Sequence, residues 1–243
     1  MKDTYFTLTE NRKIAKGTYL SVLEGDTSDI KASGQFVNIK LDGLYLRRPI
    51  SVCDVEGDKL TVIYKAVGVG TEKMASTPVG EKWLTLTGLG NGYDLTKSGD
   101  RPLLIGGGAG VPPMYYLAKL LVKEGKHPTV ILGFGKADEV FFKEEFEALG
   151  VKVIVTTVDG SYGIRGFVTD AFDGLDYTYF YTCGPEPMLK AVYDKTVSSG
   201  QFSFEERMGC GFGACMGCTC KTKYGNKRIC RDGPVLEKEE IIW

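Results

Sequence analysis

Five of the chain's seven cysteines lie at or beyond position 210, and four of them are spaced for metal chemistry. The run Cys210-Gly-Phe-Gly-Ala-Cys215-Met-Gly-Cys218, followed by Cys230, reads C-x4-C-x2-C-x11-C. That is the plant-type spacing for a 2Fe–2S cluster held by four thiolates. Three ligands from one tight loop require little side-chain bulk, which Gly209, Gly211, Gly213, Ala214 and Gly217 supply. Small residues also let backbone N–H groups approach the sulfurs. The competing reading is zinc, which more typically takes two C-x2-C pairs; only Cys215 and Cys218 form one here. Cys220 is a spare thiol one residue beyond Cys218, and Cys53 reads as a buried core thiol. A cluster of this kind passes single electrons, so the chain reads as an electron conduit.

Two segments have the makings of anion sites. Gly106-Gly-Gly-Ala-Gly110-Val-Pro-Pro113 follows an apolar strand and opens a helix, where backbone N–H groups and a helix start can meet a pyrophosphate. It departs from G-x-G-x-x-G, so Gly106, Gly107, Gly108 and Gly110 are candidates on context rather than motif, and a plain tight turn stands beside that reading. Cys183-Gly184-Pro185 sits at the carboxyl end of a later strand, the edge where parallel sheets bind ligands, or is a loop with a helix-starting proline. No ribose-binding acid is evident after the second strand, where Lys136 either meets a 2′-phosphate or faces solvent. NAD and NADP stay undistinguished. In the first half, Arg47-Arg48-Pro49-Ile50-Ser51 suits a phosphate, against the commoner reading of solvated arginines. Gly68-Val-Gly70-Thr71 precedes a short helix, a second anion-friendly start.

The elements that carry these residues fall into two rhythms. Short strands are expected at 4–9, 18–23, 35–39, 50–55, 60–66 and 81–86, separated by turn signals, which predicts an antiparallel barrel. Residues 88–102 read as a linker. From Leu103 strands alternate with helices: strands at 103–105, 129–132, 152–157 and 177–182, helices at 113–124, 137–149, 166–172 and 186–198. That alternation predicts a parallel sheet with crossover helices. The expected organisation is a barrel over 1–98, an α/β nucleotide domain over 99–200 and a small Cys-rich domain over 201–243. Lys+Arg is 30 against Asp+Glu 31, with no basic patch for nucleic acid. No apolar run reaches membrane-spanning length, and no export signal opens the chain. Clustered thiols then point to a reducing, cytoplasmic setting.

A nicotinamide moves electrons in pairs and an iron–sulfur cluster moves them singly. Flavin accepts both kinds of step, so a nucleotide sheet plus a cluster predicts a flavin in the barrel.

With these residues assembled, the chain resembles the ferredoxin-reductase family. Arg48-Pro-Ile-Ser51 and Gly70-Thr71 resemble its flavin domain; the GGGAGVPP turn and Cys183-Gly-Pro185 resemble its pyridine-nucleotide domain. Glu-Glu-Arg-Met-Gly-Cys-Gly-Phe-Gly-Ala-Cys-Met-Gly-Cys and Cys230-Arg-Asp-Gly-Pro-Val235 resemble one branch, the electron-transfer subunits of type B dihydroorotate dehydrogenase. The resemblance implies FAD held by Arg48, Pro49, Ile50, Ser51, Ile63, Tyr64, Lys65, Gly70 and Thr71. It implies NAD at Gly106, Gly107, Gly108, Gly110, Cys183, Gly184 and Pro185, with Cys183 near the nicotinamide. Cys210, Cys215, Cys218 and Cys230 would ligate the cluster. The implied partner is an FMN-containing catalytic subunit that oxidises dihydroorotate, in a hetero-oligomer such as a heterotetramer. Trp243 would either help dock that partner or fold onto its own domain. The alternative is a flavoprotein subunit of an NAD(P)H:ferredoxin or sulfur-reducing oxidoreductase. A third reading, a zinc-stabilised nucleotide-binding protein without redox activity, predicts a colourless protein.

Overall fold

The computed structural model describes residues 1–243. Six strands close a barrel: β1 (Lys2–Ala15), β2 (Thr18–Glu24), β3 (Phe36–Lys40), β4 (Arg48–Glu56), β5 (Lys59–Lys65) and β6 (Lys82–Leu89). Their order around it is β1-β2-β5-β4-β3-β6, with every pair antiparallel. Alternate residues face inward, as a strand period of two requires: Phe6 and Leu8, Leu60 and Val62, Val37 and Ile39 meet in one apolar cluster. Strand β1 runs longer than its alternating stretch, because it closes the barrel. Lys2–Thr7 pair with β6, and Thr7–Ala15 pair with β2 across a register shift after Leu8. Helix α1 (Val69–Ser76) links β5 to β6.

The second unit is built from β7 (Pro102–Gly107), α2 (Val111–Lys123), β8 (Thr129–Phe134), α3 (Lys143–Ala148), β9 (Lys152–Thr157), β10 (Ile164–Arg165), β11 (Tyr179–Cys183), α4 (Glu186–Lys195) and β12 (Gly200–Ser203). The Cys-rich segment adds β13 (Thr219–Thr222), β14 (Gly225–Arg228), α5 (Ile229–Asp232) and β15 (Val235–Glu237). The large sheet has the order β10-β9-β8-β7-β11-β12-β15; all its pairs are parallel except β12 with β15. Successive strands run outward in one direction from β7 and in the other from β11. The switch point, where such sheets open a ligand crevice, therefore lies between Gly106 of β7 and Cys183 of β11, which pair in register.

Three sequence expectations change here. The helix over 137–149 is instead a 3-10 turn at Ala137–Glu139 and then α3. Phe142 turns left-handed at φ 64°, which separates the 3-10 turn from α3, and Phe141, Phe142 and Phe146 are buried in one core. The helix over 166–172 is a single 3-10 turn at Val168–Ala171. The stretch at 88–102 is tied down rather than free. Asn91 donates to the Val235 carbonyl at 2.7 Å and accepts from its N–H at 3.1 Å, and the buried Tyr93 donates to the Thr182 carbonyl at 3.1 Å.

Residue 201 falls inside β12, and β15 returns to the edge of the same sheet. Cys218, Ile229, Cys230 and Leu236 are buried with Phe180 and Phe202 of the sheet and Phe36 of the barrel. The Cys-rich segment thus shares its core with both larger units. No helix is long and apolar enough to cross a membrane.

Candidate functional site: two joined cavities and a thiol loop

A cavity of 270 Å³ opens at the barrel's end. From the barrel it is walled by Pro49, Ile50, Ser51, Ile63, Tyr64, Lys65 and Thr71. Neighbouring strands β4 and β5 supply all of these but Thr71, which comes from α1. Arg48 and Gly70 stand beside it. Gly70 is buried, and a Cβ there would overlap the Arg48 side chain, so the glycine makes room for the guanidinium. Arg47 is already spent on a two-pronged pair with Asp3, at 2.8 Å each. Arg48 has no carboxylate partner and donates only to the backbone carbonyls of Leu46 and Arg47. Its charge is left for an anion, and the start of α1 lies against it. Thr71 shapes that start by accepting from Val67 N–H at 3.0 Å. The opposite wall escaped the sequence reading: Ser203, Phe204, Glu205, Glu206 and Met208, with Ala109 and Pro234. Nothing local in those residues signals that they face Ile50 and Tyr64.

The second cavity, 440 Å³, lies over the carboxyl ends of β7, β8 and β9. Gly107, Gly108 and Pro185 line it as expected. Gly106 and Gly110 support it from below. A Cβ on Gly106 would press on Val111 Cα at 3.0 Å, and one on Gly110 would overlap the Cys183 carbonyl. Gly184 packs against Met188 and faces a third cavity. Cys183 is buried, and burial pushes its thiol well above the ordinary value, so it acts as packing rather than as a nucleophile. The sequence reading missed Gly133, Gly135, Thr156, Val158, Phe167 and Met188. The ends of β8 and β9 carry the first four, Phe167 precedes the 3-10 turn at Val168–Ala171 and Met188 lies in α4; for the first four the parallel register was the signal that could have found them. Lys65 lines both cavities, and its ammonium lies 3.5 Å from Glu139 on the nucleotide side. The two spaces therefore meet at one side chain.

The thiols come in two pairs. The Cys210 sulfur accepts backbone N–H groups from Ala214 at 3.2 Å, Cys215 at 3.4 Å and Phe212 at 3.5 Å, and the Cys215 thiol is hydrogen-bonded to it. Burial pushes the Cys210 thiol up, but these donors outweigh it and bring it down to about 6. Cys218 accepts from the Cys230 N–H at 3.4 Å, and burial with the Cys218 thiol alongside pushes Cys230 up to about 12. Nowhere do three or more His, Cys, Asp or Glu side chains gather around a single ion position. Two thiol pairs would suit a 2Fe–2S cluster better than a lone tetrahedral zinc, which needs its four ligands around one ion. The loop is fastened at each end: Asn38 of β3 donates to the Cys210 carbonyl at 3.3 Å, and Arg228 donates to the Gly213 carbonyl at 3.0 Å while paired with Asp232. Cys215 is exposed beside Phe212 and Met216, whereas Cys218 and Cys230 are buried. Cys220 stands apart on β13, in the third cavity. Trp243 packs edge-on against Tyr193 and tilted against Phe204, with ring centroids at 5.9 and 5.8 Å, so the tail folds onto its own chain.

Comparisons with known proteins agree with this geometry. Residues 205–242 match the family model of the iron–sulfur cluster binding domain of dihydroorotate dehydrogenase B, and residues 104–194 that of the oxidoreductase NAD-binding domain. The electron transfer subunit of dihydroorotate dehydrogenase B (NAD(+)) from Bacillus pumilus is 43% identical, over 99% of this chain and 98% of its own. The one from Fusobacterium nucleatum is 45% identical, over 99% of both. Among solved structures, that of an NADH-dependent reduced ferredoxin–NADP oxidoreductase superposes with a TM-score of 0.90 at 28% identity, covering 98% of this chain and 90% of that one. A ferredoxin NADP+ reductase from Neisseria gonorrhoeae with bound FAD and NADP shares the fold over 80% of this chain and 90% of that one, at a TM-score of 0.69 and 16% identity. The chain belongs to the family of dihydroorotate dehydrogenase B electron transfer subunits.

Proposed function

We infer that the chain passes electrons from a dihydroorotate-oxidising, FMN-bearing catalytic subunit to NAD+, in pyrimidine biosynthesis. One observation carries this reading: the thiol loop begins at the wall of the barrel-end cavity. Met208 lines that cavity, and Cys210 is two residues on, a span of at most roughly 7 Å along the chain. Lys65 then joins the same cavity to the nucleotide space.

Arg48 would hold the FAD phosphates by charge, with Gly70 and Thr71 at the start of α1. Pro49, Ile50, Ser51, Ile63 and Tyr64 would flank the ring and keep water from it. Gly107, Gly108 and Pro185 would seat the NAD pyrophosphate and nicotinamide, while Gly106, Gly110, Cys183 and Gly184 shape the floor. Cys210 with Cys215, and Cys218 with Cys230, would each hold one iron. When bound, the flavin exchanges single electrons with the cluster and hydride with the nicotinamide. The exposed Cys215 side, rimmed by Phe212 and Met216, would face the partner. Units of 1–98, 99–200 and 201–243 then correspond to flavin, nucleotide and cluster functions, although the last shares its core with the others. Reduced clustered thiols suit the cytoplasm.

The test is co-expression with the catalytic subunit. The complex should reduce NAD+ with dihydroorotate and show both flavin and broad iron–sulfur absorption. A colourless complex, or one without that activity, refutes the reading.

A further inference from the structure

The two faces of strand β3 serve different neighbours. Val37 and Ile39 point into the barrel core, so by the strand period Phe36 and Asn38 point out of it. On that outer face Phe36 lines the flavin cavity and shares a core with Cys218 and Cys230. Its register partner is Ser51, and that of Asn38 is Pro49; both partners wall the same cavity. Strand β3 thus touches the flavin cavity and the thiol segment at once. On the function inferred above, every electron exchanged between flavin and cluster crosses this boundary, and the role derived below rests on that function.

Asn38 makes the direct link. Its side-chain amide donates to the Cys210 carbonyl at 3.3 Å, the one hydrogen bond between the barrel strands and residues 209–218. Phe36 and Met208 also reach both places, but only by apolar contact. Asn38 is buried, and its amide oxygen has no partner. Burying an unpaired amide oxygen is unfavourable, and a leucine would fill similar space without that cost, so stability alone does not call for asparagine here. The amide also closes down on Gly211. A Cβ there would overlap the Asn38 amide nitrogen, and the backbone turns left-handed at φ 78°. Beyond that turn the N–H groups of Phe212, Ala214 and Cys215 converge on the Cys210 sulfur. Asn38 therefore clamps the peptide that leads from a ligand residue into the turn aiming three donors back at its sulfur. Donors to a ligand sulfur favour the more negative, reduced state of a cluster.

We propose that Asn38 is a positioning residue for electron transfer. Through the Cys210 carbonyl it holds the donor-bearing loop in a fixed place against the flavin barrel, and so sets both the cluster's reduction potential and its coupling to the flavin. No bond forms or breaks at Asn38. In the chain without its partner, one NADH reduces two clusters by one electron each, and releases NAD+ and one proton.

The test uses Asn38→Leu, Asn38→Ala and Asn38→His in the FAD- and cluster-loaded chain. Leucine fills the space and cannot donate. Alanine removes the same donor without bulk, which covers a misfit of leucine. Histidine offers a ring N–H at nearly the same reach. The first readout is a redox titration followed by the electron paramagnetic resonance signal of the reduced cluster. In Asn38→Leu and Asn38→Ala the reduction equilibrium should fall about 10-fold, a shift of about 59 mV to lower potential, with altered g-values. Asn38→His should stay nearer wild type. The second readout is stopped-flow mixing with NADH. Passage of electrons from flavin to cluster should slow about 10-fold in the donor-less variants, while flavin reduction and FAD affinity keep their wild-type values. A wild-type potential and transfer rate in Asn38→Leu or Asn38→Ala overturns the proposal. So does a loss of FAD affinity in both, which would make Asn38 a support of the barrel. Normal FAD binding without iron uptake in both overturns it as well, because the bond would then serve cluster assembly alone. A wild-type chain that shows no iron–sulfur resonance overturns the function inferred above instead.

Discussion

Two glycine-rich loops bracket the electron path, and they are rich in glycine for different reasons. In the nucleotide turn Gly106, Gly107 and Gly110 are buried. Side chains on them would strike Val111, Met188 and the Cys183 backbone. In the thiol loop Gly209 and Gly217 are exposed, and a Cβ on either would meet only the Cys215 sulfur, at 3.2 and 3.6 Å. There the chain bends to aim N–H groups at sulfur, with left-handed backbone at Gly211, Gly213 and Met216. The first loop is shaped by the protein packed around it. The second packs on protein only at Gly211 and Gly213, against Asn38 and Arg231, and its remaining backbone turns toward the thiols.

The sharpest break of this comparison is Cys215→Ser. It should cut dihydroorotate-to-NAD+ transfer by about 100-fold or more, because a thiolate ligand is lost. NADH-to-dye turnover, which needs only the flavin and nucleotide cavities, should stay close to wild type. Equal loss of both would mean that the thiol loop also builds the cavities. Next comes Gly110→Ala, which forces a methyl into the Cys183 backbone. Urea denaturation of the apoprotein should show a loss of about 3 kcal/mol. Gly213→Ala is its counterpart in the thiol loop. There the methyl meets the movable Arg231 side chain at 2.7 Å, so the cost is mainly the left-handed backbone, about 1–2 kcal/mol. If Gly213→Ala proves the more damaging in apoprotein, the distinction fails.

Arg48→Ala asks whether a side-chain charge matters where the nucleotide turn uses backbone alone. FAD affinity should drop about 10-fold, read from flavin fluorescence on titration into apoprotein, since a charge-assisted phosphate contact disappears. Unchanged affinity would assign the phosphates to backbone on both sides. The smallest effect is expected of Trp243→Ala. It removes two aromatic contacts, worth about 1 kcal/mol of stability, and should leave association with the catalytic subunit intact in gel filtration. Loss of the complex would return the tail to the docking face.

The difference between the loops also explains what was readable. The thiol spacing is a local property, and so is the strand period that announced the barrel. The alternation of strands and helices after Leu103 was equally plain. Reading failed where neighbours distant in sequence decided the outcome. Val140-Phe141-Phe142 carries helix-compatible residues, yet the chain turns left-handed at Phe142 and the helix starts only at Lys143. Residues 88–102 look like a linker until Val235 clasps Asn91.

Thiol spacing, the order of barrel and parallel sheet, and one side of each cavity were legible in the sequence alone. That is so because side-chain period and thiol spacing are written within a few turns of chain. Packing in three dimensions was needed to place Ser203–Glu206 and Met208 on the flavin-cavity wall, to give Lys65 to two cavities at once and to sort the thiols into two pairs. It also set Glu205 and Glu206 between the flavin cavity and a second opening. Those juxtapositions join β5 to Glu139 and β3 to Cys210 across long loops, and they follow from burying one shared core rather than from any local pattern.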